Sequence, residues 1–297
     1  MELTTEQQAK MTKMVTLMGR LLVARKDVKA IEKKMGNSTG WVPDRESVPR
    51  GQDPNTGALI PMRMSDFQNH FFGKRCMGTY LLDAESMVRF IAFDIDLKES
   101  GQYFKIRDAT ELEAMIAGKT DEEVDAIMDL EIQRGDLEGA MHRPDLPAHR
   151  WARLVLSERS RTICFVVERI LGLPALEVVT GGGMHVLVPF GNLVPAVDAR
   201  QMAREVMDHC FMVPSKGDNF FVPESNPDSG LEIEVFPKQD TNTGFGNLIR
   251  LPLGWHLGAQ RRTYFMDRTK IVNAWDLPAA DALEVMSSAA SSLGVGV

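Results

Sequence analysis

Cysteine is scarce in this chain: three in 297 residues, at Cys76, Cys164 and Cys210. They form no CxxC pair, and each sits among apolar neighbours. That pattern predicts reduced core thiols and excludes a disulfide framework. No cluster of four ligands is visible, so no zinc is expected. Long apolar runs are also missing. No stretch of about 18 apolar residues exists, which excludes a membrane-spanning helix. The N-terminus lacks a charged, apolar, small-residue leader pattern, which predicts a cytoplasmic protein rather than a secreted one. A basic excess is absent too: 34 Lys and Arg against 41 Asp and Glu give a formal charge of −7. Taken whole, that balance argues against a nucleic-acid binder.

The charge is unevenly spread. From Asp108 to Gly139 there are eleven acids against Lys119 and Arg134, a net of −9, which leaves +2 on the rest. The acidity belongs to one segment. With 44% hydrophobic residues, the chain can bury a large core as one big domain or two small ones.

Residues 4–35 read as one long helix, with Thr4 and Gln7 as a capping box and Met11, Met14, Val15, Met18, Leu21 and Leu22 on one face. Residues 37–61 hold four prolines and three glycines, which predicts a linker or mobile arm. Strands are expected at Met77–Leu82 and Met87–Asp96. An acidic helical insertion at about 105–148 follows, then a helix from Trp151 to Leu171, stopped by Gly172 and Pro174. Further strands are expected at Ala175–Val179, Met184–Pro189, Leu231–Phe236, Leu248–Leu253 and Thr263–Met266. Pro195–Phe211 and the last 25 residues supply helices. The irregular order fits an α+β fold. The resulting division is an N-terminal helix at 1–37, a core at 38–270 carrying the insertion, and a helical tail at 271–297.

Four constellations carry possible chemistry. Phe93-Asp94-Ile95-Asp96 ends an apolar run, and residues i and i+2 of a strand share a face, about 6.6 Å apart at Cα. Two like charges there need neutralising, and a divalent cation is the common answer. A strand end meeting solvent is the plain alternative. Glu232-Ile233-Glu234 repeats the pattern, followed by Phe236-Pro237-Lys238-Gln239. A third carboxylate beside the first two would complete a two-metal site, with Lys238 placed to meet a phosphate. Thr180-Gly181-Gly182-Gly183-Met184-His185 offers glycines that permit positive φ and backbone N–H groups that can approach an anion. It lacks the Gly-Lys-Ser/Thr ending of a P-loop and fits a hairpin turn equally well. Finally, Gly246-Asn247-Leu248-Ile249-Arg250-Leu251-Pro252 opens a stretch, 244–271, with five bases and one acid.

In this order, the four resemble the motifs of the archaeo-eukaryotic primase, or primase-polymerase, superfamily. The chain is closest in look to the CRISPR-associated and TOTE conflict-system branch of bacteria and mobile elements. The resemblance extends to His70-Phe71-Phe72-Gly73-Lys74 and Gly78-Thr79-Tyr80-Leu81-Leu82 and covers about 66–267. It implies an α+β catalytic core, an RRM-like sheet packed with a second small α/β unit, here with helical additions. It implies two Mg²⁺ or Mn²⁺ ions held by Asp94, Asp96 and a third acid. Glu234 is chosen because relatives ending in Phe-Pro-Lys-Gln often carry Glu there, with Glu232 as the fallback. It assigns Thr180, Gly182 and His185 to the nucleoside triphosphate, with Thr where Ser is usual. Lys238, Gln239 and Arg250 would hold phosphates or template. The implied activity is that of a DNA primase or DNA-directed polymerase acting on single-stranded DNA with NTPs or dNTPs, in a bacterial, phage or plasmid setting. A separate helicase or other replication protein is the implied partner. The rival readings are a metal-dependent nuclease and a non-catalytic nucleic-acid-binding module.

Overall fold

The computed structural model describes residues 4–36, 38–49, 52–97, 117–124, 147–227, 229–242, 244–270 and 277–296. Helix α1 spans Thr5–Leu21. Its Thr4–Gln7 capping box forms as expected, and Val15, Leu17, Met18 and Leu21 bury one face. It packs on α5 (Ala282–Ser292), where Lys10 reaches Asp281 at 3.0 Å.

The long first helix is the main correction. It stops at Leu21, and Ala30–Met35 form strand β1, paired with β2 (Ser38–Pro43) in a hairpin. β1 also pairs with β3 (Met77–Tyr80), through Ala30↔Gly78 and Ile31↔Met77. That pairing buries Ala30, Ile31 and Glu32, and tertiary contact overrides the helical composition of the Lys-rich segment. The first 37 residues are therefore no separate helical unit. The expected arm after them is largely folded as well. Arg45 bridges Leu59, and the Glu46 N–H donates to the Ala58 carbonyl. Beneath it Lys29, fully buried, meets Asp44 and Asp66 at 3.1 Å each.

Two sheets carry the molecule. The smaller has the order β10-β3-β1-β2, with β10 at Leu248–Arg250. The larger has seven strands, β13-β5-β6-β4-β9-β8-β7. These are β4 (Met87–Leu97), β5 (Leu176–Val179), β6 (Met184–Pro195), β7 (Met212–Pro214), β8 (Phe220–Pro223), β9 (Leu231–Phe236) and β13 (Tyr264–Phe265). A two-stranded ribbon, β11 (Trp255–His256) and β12 (Arg261–Arg262), joins them. Helix α2 (Met64–Phe71) precedes β3, and its buried His70 bonds the Pro252 carbonyl through Nε2 at 2.9 Å and accepts the Met77 N–H on Nδ1 at 3.0 Å. β7, β8, β11 and β12 carry too few residues to show a strand period in the sequence.

Helices α3 (Pro147–Val166, continued by a π-turn at Val167–Leu171) and α4 (Ala196–His209) pack against the large sheet. Glu177 pairs with Val186 and Val186 with Phe93, so these three share a face. Ser160 of α3 bonds Glu177, which puts α3 on that face. The opposite face, with Asp94 and His185, looks toward the small sheet.

Cys76, Cys164 and Cys210 are buried free thiols, and burial pushes Cys76 up to about 12 and Cys210 to about 11. Of the acidic insertion, 117–124 and 147–148 lie within the described residues, with 121–124 helical and 147–148 opening α3. Among the described residues no helix is long and apolar enough to cross a membrane.

Candidate active site

β4 is flanked on both sides, and the register of its two ladders builds the site. Asp94 stands opposite His185 on β6 and opposite Glu234 on β9. Asp96 stands opposite Glu232. Directly paired residues share a face, with Cβ atoms about 4.5–5.5 Å apart. Four carboxylates and one imidazole thus lie on one face of three neighbouring strands.

Three acids of this row meet basic side chains of the chain itself. His185 Nε2 lies 3.1 Å from Asp94 Oδ1. Lys238 pairs with Glu234, four residues earlier, and its ammonium sits over the Phe236 and Phe220 rings at 4.7 and 5.3 Å. Lys216, largely exposed, crosses from the β7–β8 hairpin to Glu232 at 2.9 Å. Glu232 is more enclosed than Glu234, with side-chain exposures of 8% and 22%.

Asp94, His185, Glu234, Phe236 and Lys238 form one wall of a cleft of about 430 Å³. The opposing wall comes from the small sheet and its approach: Trp41 of β2, then Gly246 to Arg250. The Arg250 guanidinium stacks over Trp41 at 5.2 Å and meets buried Glu32 at 3.4 Å. The structure therefore brings together five of the residues singled out in the sequence: Asp94, His185, Glu234, Lys238 and Arg250.

Asp96 and Glu232 continue the same row beyond the cleft lining, and the remaining residues have other contacts. Thr180 is buried, and its hydroxyl oxygen accepts the Gly183 N–H at 3.0 Å, so it closes its own turn instead of lining the cleft. None of Gly181, Gly182 and Gly183 has positive φ. Two of them serve close approach instead. A Cβ on Gly183 would stand 2.3 Å from Asp96 Oδ1, and one on Gly181 2.2 Å from His256 Cδ2. The glycine turn thus abuts Asp96 on one side and the β11–β12 ribbon on the other. Gln239 donates to the Thr241 carbonyl at 3.0 Å and does not line the cleft.

The donor set suits a divalent cation: carboxylate oxygens, hard ligands for Mg²⁺ or Mn²⁺, on a backbone that already sets them side by side. Among the described residues no three Asp, Glu, His or Cys side chains converge on one point at ligating distance. Asp94 and Glu234 are turned toward His185 and Lys238. The residues fit the ion by chemistry and register, with Asp94 and Glu234 turned to basic side chains of the chain.

Trp41 and Glu32 were missed in the sequence because their segment reads as helix and loop. The available signal was Gly36-Asn37 between two short runs, a two-residue hairpin turn. In the structure Met35 pairs with Ser38 around it, and Gly36 has φ +64°.

No curated protein matches the chain. Among solved structures it is similar to the polymerase domain of Mycobacterium tuberculosis Ligase D in complex with DNA, at 12% identity, over 96% of this chain and 89% of that one, with a TM-score of 0.43. The family model described as TOTE conflict system, Archaeo-Eukaryotic Primase domain matches residues 13–142 and 145–288, taking in every strand of the acidic row and both walls of the cleft. With so much of its length matched, the chain belongs to the archaeo-eukaryotic primase domain family of TOTE conflict systems.

Proposed function

We propose that this chain is a template-dependent nucleotidyltransferase that makes or extends primers on single-stranded DNA. Membership of the primase family places it among nucleotidyltransferases. The observation that carries the finer reading is the row His185–Asp94–Glu234 with Lys238 beside it and Arg250 on the facing wall of one cleft. Carboxylates and cations on facing walls are what a metal-bound triphosphate requires. The cleft is also of the size that small-molecule sites have, about 300–1,000 Å³.

Asp94, Asp96 and Glu234 would hold two Mg²⁺ or Mn²⁺ ions. Bound there, such ions activate an attacking oxygen and offset charge on a leaving group. The chain's own residues do the rest. Lys238 and Arg250 meet the triphosphate from opposite sides as charged donors. His185 donates to a phosphate oxygen. The turn at Gly181–Gly183 backs Asp96. In the overall reaction a primer 3′ hydroxyl displaces pyrophosphate from the α-phosphate of the incoming nucleotide, with the template strand choosing the base.

The test is direct. Purified protein is incubated with a single-stranded template, labelled NTPs or dNTPs, and Mn²⁺. New labelled product that disappears in the Asp94→Ala, Asp96→Ala double variant, with the fold intact, is the expected result. A shortened template would make the protein a nuclease, and a gel shift without product would make it a binding module. Full activity in the double variant would sink the metal assignment.

A further inference from the structure

Glu32 stands apart from the acidic row, on β1 of the small sheet, with its side chain 1% exposed. Burial opposes its charge, yet contacts from His256, Arg250 and the Leu257 N–H hold its carboxyl down at about 2. Glu32 is thus a buried anion, kept charged by what surrounds it.

Its partners belong to two different parts of the site. Oε1 lies 3.4 Å from Arg250 Nη2 and 3.4 Å from His256 Nδ1. Oε2 accepts the Leu257 N–H at 3.1 Å. Arg250 forms part of the cleft wall and stacks on Trp41. A guanidinium is planar, so holding Nη2 on a carboxylate and the group over an indole restricts how the fork can turn. His256 ends β11 and Leu257 begins the turn to β12, in the ribbon that presses on Gly181 at the back of the glycine turn. One carboxylate therefore ties the arginine side of the cleft to the support of the turn that abuts Asp96.

We propose that Glu32 is a positioning residue for the triphosphate site, orienting Arg250 and bracing the β11–β12 ribbon behind the glycine turn. This rests on the nucleotidyl-transfer reading. Glu32 touches no substrate; it acts through Arg250 and the ribbon. A purely structural Glu32 would lower stability without separating substrate affinity from turnover.

The experiment uses the full chain and dATP with Mn²⁺, read by calorimetry and by primer extension. Glu32→Gln keeps the shape and an acceptor for Leu257 but loses the charge. Its Kd and KM for dATP are expected to rise about tenfold, with kcat within about threefold, because a hydrogen bond to a charged group is weakened. Arg250→Gln is expected to do the same, and the double variant to be no worse than either single one, because both changes break one unit. Unchanged affinity in Glu32→Gln, or fully additive losses in the double variant, would overturn the proposal while leaving the nucleotide site standing. Failure of the unaltered protein to bind dATP would overturn the underlying reading and Glu32's role with it. Should Glu32→Gln melt far below the unaltered protein, Arg250→Lys carries the test. It keeps the charge and loses the fork that Glu32 orients, so a similar rise in Kd supports the proposal and unchanged affinity contradicts it.

Discussion

Gly183→Ala tests how tightly the glycine turn and the acidic strand are fitted. The new Cβ would stand 2.3 Å from Asp96 Oδ1 and 2.4 Å from the Ile95 carbonyl oxygen, where ordinary contact begins at 3.4 Å. Either the turn or the end of β4 must therefore move by about an ångström, and the Ile95 oxygen is backbone, which yields poorly. Gly183 has no positive φ, so the whole effect is steric. Overpacking of this kind costs about 1–3 kcal/mol. At about 2.1 cal/mol/K per residue, the unfolding entropy of a chain this long turns that into a fall in Tm of about 2–5 °C. The activity loss should be larger, since an ångström's displacement of a reacting group costs about 100-fold. Differential scanning calorimetry and primer extension measure the two. Gly19→Ala is the control: nothing lies within 4 Å of its Cβ in α1, so it should raise stability by about 0.5–1 kcal/mol and leave activity alone. A Gly183→Ala protein that melts and extends primers like the unaltered chain would refute the close fit of turn and strand.

Two other perturbations probe the scaffold under the site. Lys29→Met leaves Asp44 and Asp66 without the buried ammonium that both contact, although Arg75 still reaches Asp44 at 3.0 Å; urea unfolding should show a loss of about 3–5 kcal/mol. His70 is held neutral by burial, with its pKa lowered from 6.5 to about 4. Below pH 6.5 the unfolded chain takes up a proton that the folded chain refuses, so stability falls as pH drops from 6.5 toward 4. Between pH 7 and pH 5 this one residue contributes about 2 kcal/mol of loss, and His70→Asn should remove that much of the pH dependence in urea titrations.

What could be read in advance follows from the range of the interactions involved. Acids at i and i+2 on β4 and on β9 show in the sequence because strand alternation is local. Their union does not, because Asp94↔Glu234 is a register between residues 140 positions apart. The same holds for Arg250, visible as one base among several until β10 pairs with β3 and sets it over Trp41. The helix assigned to 4–35 fails where pairing with β3 outweighs local composition. The glycine turn lies where the sequence places it, but positive φ is not the reason for its glycines. Conformational freedom suggests positive φ, whereas Asp96 leaves no room for a side chain at Gly183 and His256 leaves none at Gly181.

The charge balance reads differently once the cleft is in view. The −9 segment lies between β4 and α3 in sequence, and the cleft sets Lys238 beside the acidic row and Arg250 opposite it. Net charge described one segment and not the site.

The most direct measurement is a crystal structure of the protein soaked with Mn²⁺ and a nucleoside triphosphate, with the metal located by anomalous scattering. The account predicts two Mn²⁺ peaks about 3.5–4 Å apart, ligated by Asp94, Asp96 and Glu234, with Lys238 withdrawn from Glu234 and facing the triphosphate beside Arg250. Peaks bound through Glu232 alone, or a triphosphate bound away from this cleft, would contradict it.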